Sequence, residues 1–403
     1  MNSIEIIDTD VLVVGGGGAG ARAALEANEA GAKVTLAVKG DFGIMGSRGS
    51  GTSGGGLTNM FIYFAVPGGK VAPGKEADLI FERIIQAGHG LANRRLSRIL
   101  VDEAIQARAK LEKWGVVLNM MPFAGGKVAK MLAPMPGLAD VIRGAGDIRV
   151  RERMTVTDLL VRDGACIGAI GVDEGNGELC LFRAAATILA TGGAGQLFMH
   201  CFHPSCDTGD GHAMAYEAGA ELINMEYLQL VIGMVYPTIC LLPHGNWGLY
   251  PRVRNGTGEE FIHKYLPKGV TVEDCLKPKP QHSVFSTRDA SQYLEMAFVK
   301  ETREGRANEH NALYLEPINP NTVPRWQFER LSNRGMDWSK EVEINVACHC
   351  FNGGLRIDEN AQTSVPGLYA VGETAAGPWG ADRLGGLMHA FSHVFGVRAG
   401  KHA

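Results

Sequence analysis

Residues 10–39, DVLVVGGGGAGARAALEANEAGAKVTLAVK, constrain this chain more than any other stretch. Asp10 precedes a continuous apolar run, Val11 to Val14, which suits a strand buried on both faces of a parallel sheet. Five glycines fall in the next six residues, and Ala21 to Ala30 then reads as a helix with Gly31 placed to cap its C-terminus. Val34 to Val38 is a second apolar run, so the whole is a βαβ unit of about 30 residues. The glycines fit G-x-G-x-x-G as Gly15, Gly17 and Gly20; a second register, Gly16, Gly18 and Ala21, leaves an extra residue after the strand. In the first register Gly15 makes the tight turn and Gly17 lets a diphosphate approach backbone N–H groups. Gly20 lets helix and strand pack closely, with the helix N-terminus facing the anion. The unit predicts dinucleotide binding. The acid that bonds the ribose about 20 residues further on falls near Val38, which accepts no hydrogen bond. Backbone or another residue, such as Lys39, must hold the ribose, and the loop leaves NAD and FAD open.

At 403 residues the chain exceeds one hydrophobic core, so two lobes are expected. A net charge of -4 offers no electrostatic case for nucleic acid or an anionic membrane surface. The 54 glycines cluster between apolar runs without a period, which excludes a collagen-like chain and points to loops where backbone meets a ligand. The start, MNSIEIIDTD, lacks a basic segment followed by an apolar one, so no signal peptide is expected. The most apolar segment, Tyr227 to Pro243, is interrupted by Gln229, Gly233 and Pro237 and is shorter than the roughly 20 residues of a membrane helix. It predicts a buried strand or a crossover between lobes, with no membrane insertion. Eight cysteines occur without a CxxC pair; Cys348-x-Cys350 and Cys201-x4-Cys206 match no common zinc or iron–sulfur spacing. Reduced thiols in the cytoplasm and no resident metal are the expectation, and any iron–sulfur cluster would come from another subunit.

Residues 41–60, DFGIMGSRGSGTSGGGLTNM, are too glycine-rich for a helix and, following a dinucleotide unit, read as a loop wrapping the cofactor. Apolar residues at helical spacing predict helices at about Lys75–Ala87 and Arg94–Trp114. Residues 148–190 read as a meander: IRVRERMTVTDLLV, ACIGAIGVD and ELCLFRAAATILA, with turns at Arg162-Asp163-Gly164 and Gly175-Asn176-Gly177. The last of these strands runs into Thr191-Gly192-Gly193-Ala194-Gly195. Near the C-terminus Gly367 to Glu373, GLYAVGE, repeats a short strand running into a glycine and an acid, and a helix follows over Met388–Ala399. Three strand-to-glycine junctions suggest three edges of one cofactor site.

With these motifs stand Thr208-Gly209-Asp210-Gly211, Ala218 to Glu221, Met225-Glu226, Asn255 to Phe261, Arg288-Asp289, His349 to Gly354 and Ala381 to Gly386. Their order and spacing resemble, nearly end to end, the flavoprotein subunit family of succinate dehydrogenase and fumarate reductase, with its soluble fumarate reductase and L-aspartate oxidase relatives. The resemblance implies FAD, in an α/β fold: a discontinuous Rossmann-like FAD-binding domain, 1–238 and 347–403, around an inserted α+β capping domain, 239–346. Residues 290–304 read as one helix of the cap. The chain stops soon after the final FAD-domain helix, as in soluble relatives.

The resemblance also implies roles. Flavin contacts map onto Gly15, Gly17, Gly18, Ala19, Gly20, Lys39, Gly40, Ser47, Gly55 and Gly56, then Thr191, Gly192, Gly193 and Asp210, then Gly372, Glu373, Gly386 and Leu387. Hydride passes between flavin N5 and one carbon of a double bond conjugated to a carboxylate, and the R-D pair, Arg288-Asp289, moves the proton at the other carbon. A free guanidinium is a poor acid, with a pKa above about 12, so Asp289 would have to couple it to solvent. The pair also reads as an ordinary helix start. His349 and Arg383 map onto substrate carboxylate binding, where a planar fork and a ring N–H suit a carboxylate.

Departures matter as much. The family's Q-F-H-P-T is here Gln229-Leu230-Val231-Ile232-Gly233, so a carboxylate-binding histidine is missing and an apolar wall is expected in its place. The T-E-G element near the cap entrance is not recognisable, and 134–146 is short. A buried unpaired carboxylate costs several kcal/mol, which argues against succinate and fumarate as substrates. The expected function is an FAD-dependent oxidoreductase acting on the carbon–carbon double bond of another small-molecule carboxylate. The alternatives are a flavin electron-transfer subunit serving an iron–sulfur or other partner, or an adenylylsulfate reductase-like flavoprotein. Residues 41–60 hold no histidine, so a histidyl–FAD bond cannot form there. FAD should therefore be noncovalent: acid precipitation should release all the yellow chromophore, chromatographing as FAD, and flavin left in the pellet would count against it.

Overall fold

The computed structural model describes residues 4–43, 59–63, 75–116, 119–123, 126–133, 136–241, 252–279, 289–323, 325–385 and 387–403. The chain begins with β1 (Glu5–Val14), α1 (Gly18–Glu29), β2 (Val34–Val38), β3 (Asn59–Tyr63), α2 (Lys75–Ala87) and α3 (Arg94–Lys113). It continues through β4 (Asn119–Phe123), β5 (Gly126–Ala133), α4 (Pro136–Gly144), β6 (Ile148–Glu152), β7 (Met154–Arg162), β8 (Ala165–Asp173) and β9 (Leu179–Leu189). Next come α5 (Asp210–Glu217), β10 (Leu222–Ile223), β11 (Leu228–Tyr236), β12 (Cys240–Leu241), β13 (Val253–Arg254), α6 (Val272–Leu276) and α7 (Gln292–Arg303). The last elements are β14 (Leu313–Leu315), α8 (Arg325–Ser332), β15 (Val342–Phe351), β16 (Gly354–Leu355), β17 (Leu368–Ala370) and α9 (Leu387–His402).

Among the described residues the main sheet has the order β6-β2-β1-β9-β8-β7, with β17 also paired to β9. β1 pairs in parallel with β2 on one side and β9 on the other. Its apolar half, Val11 to Val14, is buried on both faces, as the unbroken apolar run requires. β9 has two roles along its length. Residues 179–183 pair antiparallel with β8, while Thr187 to Leu189 pair in parallel with β17. α1 and α9 close one face of the sheet and touch where side chains are small: a Cβ on Gly396 would lie 3.0 Å from the Arg22 side chain. The buried Arg22 is satisfied by Glu26, one helical turn on, and by the Ala107 carbonyl of α3.

One strand expectation is corrected. Residues 148–161 do not form one arm of the meander. The chain turns at Arg153, with φ 54, so β6 leaves to pair in parallel with β2 and only β7, β8 and β9 form the meander. Arg151 of β6 is tied to Glu5 of β1 at 2.7 Å. Tyr227–Pro243 contains the strand β11, and no helix among the described residues is long and apolar enough to cross a membrane.

A second core gathers Ile232, Phe261, Leu294, Phe298, Leu313 and Ile344 between α7 and an antiparallel sheet of order β12-β11-β15-β14-β13. The β11–β15 ladder joins the two cores: Ile232 and Met234 lie in the second, while Cys350, paired with Gln229, lies in the first. The expected boundary at 346/347 falls inside β15.

A polar network pins this second core. Glu301, fully buried on α7, accepts from Arg306 (2.7 Å), Asn255 (2.7 Å) and Tyr265 (2.5 Å). Those hydrogen bonds, Arg306 foremost, outweigh burial and hold the Glu301 carboxyl at about 2, below its ordinary 4.5. Glu301→Ala strands three donors, so denaturant melts should show a loss of about 3–5 kcal/mol. Because the folded-state pKa is depressed, the wild-type contribution is complete above pH 4.5 and fades as pH falls toward 2. The variant should lack that part of the acid dependence.

Candidate functional site

The carboxyl ends of three parallel strands stop at one level: Val14 of β1 is paired with Leu189 of β9, and Leu189 with Ala370 of β17. Each then enters a glycine turn. At the first, Gly15 has φ 107, and a Cβ there would lie 2.7 Å from the carbonyl carbon of Ala190, just past β9. Gly20 packs its Cα against the Gly15 carbonyl so closely that any Cβ would overlap it. Between them α1 starts at Gly18 with Gly17 as its N-cap, and no side chain caps it. The helix begins three residues before the expected Ala21, which brings the N–H groups of Gly18, Ala19 and Gly20 to its positive end. Gly15 and Gly20 of the first register occupy tight positions, and Gly16 does too, where a Cβ would lie 2.7 Å from the Val38 side chain.

The other two turns close around it. A Cβ on Gly372 (φ 69) would lie 2.8 Å from the Ala19 methyl, and one on Gly193 would lie 2.8 Å from Glu373 Oε1. The hydroxyls of Thr191 and Thr374 meet at 3.1 Å, and Thr374 donates to the Gly192 carbonyl at 3.0 Å. Leu387, buried, starts α9 beside them. At the end of β2, Lys39 reaches the Asp210 carboxylate (2.9 Å) and the Thr208 hydroxyl (3.2 Å), so the residue considered for the ribose is tied to the start of α5. Burial pushes Asp210 up, but the Lys39 and Thr208 hydrogen bonds hold it below its ordinary value. Gly40, with φ 92, turns the chain after Lys39. An uncapped helix N-terminus facing glycine-lined space at the carboxyl edge of a parallel sheet fits a dinucleotide diphosphate. Ser47, Gly55, Gly56, Gly386 and Arg288 lie outside the described residues.

The β11–β15 ladder brings the remaining residues to the same edge. Gln229 of β11 pairs with Cys350 and Leu230 with Cys348, so His349 is the extra residue of a β-bulge. Bulges re-aim a side chain and interrupt the ladder. Gln229 also donates to Asp382 (2.7 Å) and to the Arg383 carbonyl (2.9 Å), which hangs the 381–385 segment on β11. Arg383 is only 3% exposed, its guanidinium 5.8 Å from the Trp379 ring. Glu373 accepts the Phe351 N–H at 2.7 Å and so ties the end of β15 to the third glycine turn. Burial pushes the Glu373 carboxyl up, against the charge of His203 first and Arg383 last, and pushes the Cys350 thiol up against the charge of Arg383. Asp289 accepts from the Ser291 N–H at 3.0 Å just before α7, the helix-start arrangement. Of the apolar triplet replacing F-H-P, Leu230 is 36% exposed, Val231 packs on Phe202, and Ile232 belongs to the second core.

Two residues that sequence reasoning passed over sit here. His203 Nε2 lies 2.7 Å from the His349 carbonyl and its Nδ1 is hydrogen-bonded to Asp207. Ring and carboxylate atoms of His203, Asp207 and Glu373 all lie within 4.8 Å of one another. The available signal was a histidine and an aspartate four apart, immediately before Thr208–Gly211.

Comparison with known proteins follows this geometry. A family model described as "FAD binding domain" matches residues 10–388. The chain is 33% identical to a fumarate reductase (CoM/CoB) subunit of Methanothermobacter marburgensis, over 98% of this chain and 72% of that protein. It is 27% identical to the fumarate reductase flavoprotein subunit of a Serratia species, over 99% of this chain and 69% of that one. Among solved structures it is similar to Mycobacterium smegmatis Sdh1 in complex with UQ1, with a TM-score of 0.79, 26% identity, and coverage of 98% and 68%.

Gly17, the N-cap of α1, is the residue whose backbone is expected to face the diphosphate. Gly17→Val should purify without yellow colour while keeping its wild-type circular dichroism spectrum. Full flavin occupancy would place the diphosphate elsewhere.

Proposed function

The chain belongs to the family of fumarate reductase and succinate dehydrogenase flavoproteins and is an FAD-dependent oxidoreductase, and from that premise we propose that it reduces or forms a carbon–carbon double bond conjugated to a carboxylate. What supports this reading is that Arg383 is buried and its carbonyl is held by Gln229 of β11, while His349 is the bulged residue of the strand paired with it. FAD supplies hydride transfer to or from one carbon of the double bond. The chain's own residues do the rest. Glycine turns and the uncapped start of α1 hold the dinucleotide. Arg383 offers two parallel N–H groups to the substrate carboxylate, and His349 adds a donor. Arg288 moves the proton at the second carbon, with Asp289 coupling it to solvent. Residues 239–346 act as the cap, and Arg288 belongs to it.

The substrate is proposed to carry one carboxylate and an apolar remainder. Where relatives of the Q-F-H-P-T type have a histidine, this chain has Val231, and Val231 packs beneath Phe202 instead of offering a donor. A second carboxylate placed there would be desolvated without a partner, which costs several kcal/mol. A separate electron donor, an iron–sulfur or other partner protein, is supported by a relative named as one subunit of a larger enzyme.

With a reduced viologen dye as donor, crotonate should be turned over faster than fumarate. Arg288→Lys should leave flavin content and the rate at which the dye reduces the flavin almost unchanged but cut steady-state turnover at least about a hundredfold, because lysine keeps the charge and loses the fork. Arg383→Ala should raise the Michaelis constant for crotonate as well as lowering turnover, since it removes a contact made before and during the reaction. Electron exchange with a protein partner that is untouched by Arg288→Lys, alongside no turnover of any enoate, would favour a pure electron-transfer role.

A further inference from the structure

We propose that His203 is a positioning residue: clamped between the Asp207 carboxylate and the His349 carbonyl, it fixes the bulge in β15 that presents His349 to the substrate carboxylate. The inference rests on the reading of His349 given above and adds the residues that hold it. A bulge residue leaves the ladder, so its carbonyl needs another donor or remains an unsatisfied buried acceptor. At His349 that donor is His203 Nε2, at 2.7 Å. The neighbouring residue contributes too, because the Phe202 ring meets the His349 ring edge-on, 6.1 Å between centroids.

The clamp is fixed at its other end. Nδ1 of His203 is hydrogen-bonded to Asp207, and the two side chains are only 5% and 8% exposed. Asp207 is held through its backbone, its N–H donating to the Pro204 carbonyl (3.0 Å) and its carbonyl accepting the Gln196 N–H (3.2 Å). Its carboxylate packs against Gly192, where a Cβ would lie 3.2 Å from its carboxyl carbon. The second glycine turn, Asp207, His203 and the His349 bulge therefore form one continuous chain of contacts.

His203 Nε2 faces a carbonyl and Nδ1 a carboxylate, an arrangement that favours hydrogen on both nitrogens and the imidazolium form. Burial opposes that charge, but Glu373, 3.7 Å from Nε2, and Asp207 outweigh it and raise the pKa to about 10. Neither nitrogen is free to ligate a metal or to reach a substrate. This separates His203 from a catalytic acid or base, and its effect on chemistry must pass through His349.

The test uses the flavin-loaded protein with His203→Leu, His349→Ala and the double variant, titrated with crotonate while the flavin spectrum is followed. His203→Leu should weaken crotonate binding about tenfold and raise the Michaelis constant more than it lowers turnover. In the His349→Ala background the same change should have less than about a twofold effect, because the two residues act as one unit. His203→Gln, which keeps a donor for the His349 carbonyl, should recover part of the loss. Two readouts do not need a substrate. Nitrogen-15 spectra of labelled histidine should show His203 protonated at both nitrogens at pH 8. Amide hydrogen exchange over residues 347–351 should accelerate in His203→Leu. Additive losses in the double variant, a neutral ring at pH 8, or unchanged exchange would each overturn the clamp. If crotonate and every other enoate leave the wild-type flavin unperturbed while the imidazolium and the exchange effect are seen, the substrate reading fails and the clamp stands.

Discussion

Backbone has to touch backbone where β1 ends, and the rest of the molecule is arranged around that contact. Gly15 turns the chain against the carbonyl of Ala190 at the end of β9, and Gly20 brings α1 down onto the Gly15 carbonyl. A side chain at either position would force strand and helix apart. The separation would pull the start of α1 away from the edge where β1, β9 and β17 end together. Parallel strands make this edge possible because their carboxyl ends, and hence the turns that follow, lie on the same side. Burial of Val11 to Val14 and Thr187 to Leu189 beneath α1 and α9 then makes the edge rigid.

The second core reaches this edge through a single ladder. One end of the β11–β15 ladder lies among Ile232, Met234 and Ile344, and the other holds Gln229, His349 and Phe351 beside the glycine turns. Each end is tied off by polar contacts: Gln229 to Asp382 and Arg383, and Glu373 to the Phe351 N–H. A movement of the second core relative to the first would therefore act through β15 on the residues proposed to bind the carboxylate. The bulge at His349 is the point where that strand stops being regular and becomes a site.

Charge is concentrated where solvent is scarce. Asp207, His203, Glu373 and Arg383 all lie within the low-exposure region around the second and third turns. Such groups persist only when they compensate one another, because an unpaired buried charge is costly. His203 faces Asp207 on one side and Glu373 on the other, and its charge opposes the upward push of burial on the Glu373 carboxyl. Arg383 then supplies the positive charge at the edge, which suits an anionic substrate.

How much of this was legible in the sequence differs from element to element. The run Val11 to Val14, the glycine spacing and the helix that follows are local features with one periodicity each, and they placed β1, α1 and β2 within a few residues. α2, α3 and α7 followed from helical spacing in the same way. The departure of β6 from the meander did not, because a positive φ at Arg153 is set by what the strand pairs with and not by an arginine's own preference. Motif resemblance nominated His349 and Arg383, yet the bulge that re-aims one and the Gln229 bonds that suspend the other exist only once β11 and β15 are paired. Sequence alone therefore determined the dinucleotide unit, since short-range sterics and apolar periodicity need no knowledge of the rest of the chain, while FAD rather than NAD was implied only by the order and spacing of the motifs. Tertiary structure alone decided that His203 and Asp207, far from His349 in sequence, stand behind it, because register and burial arise from contacts between segments that no local pattern records.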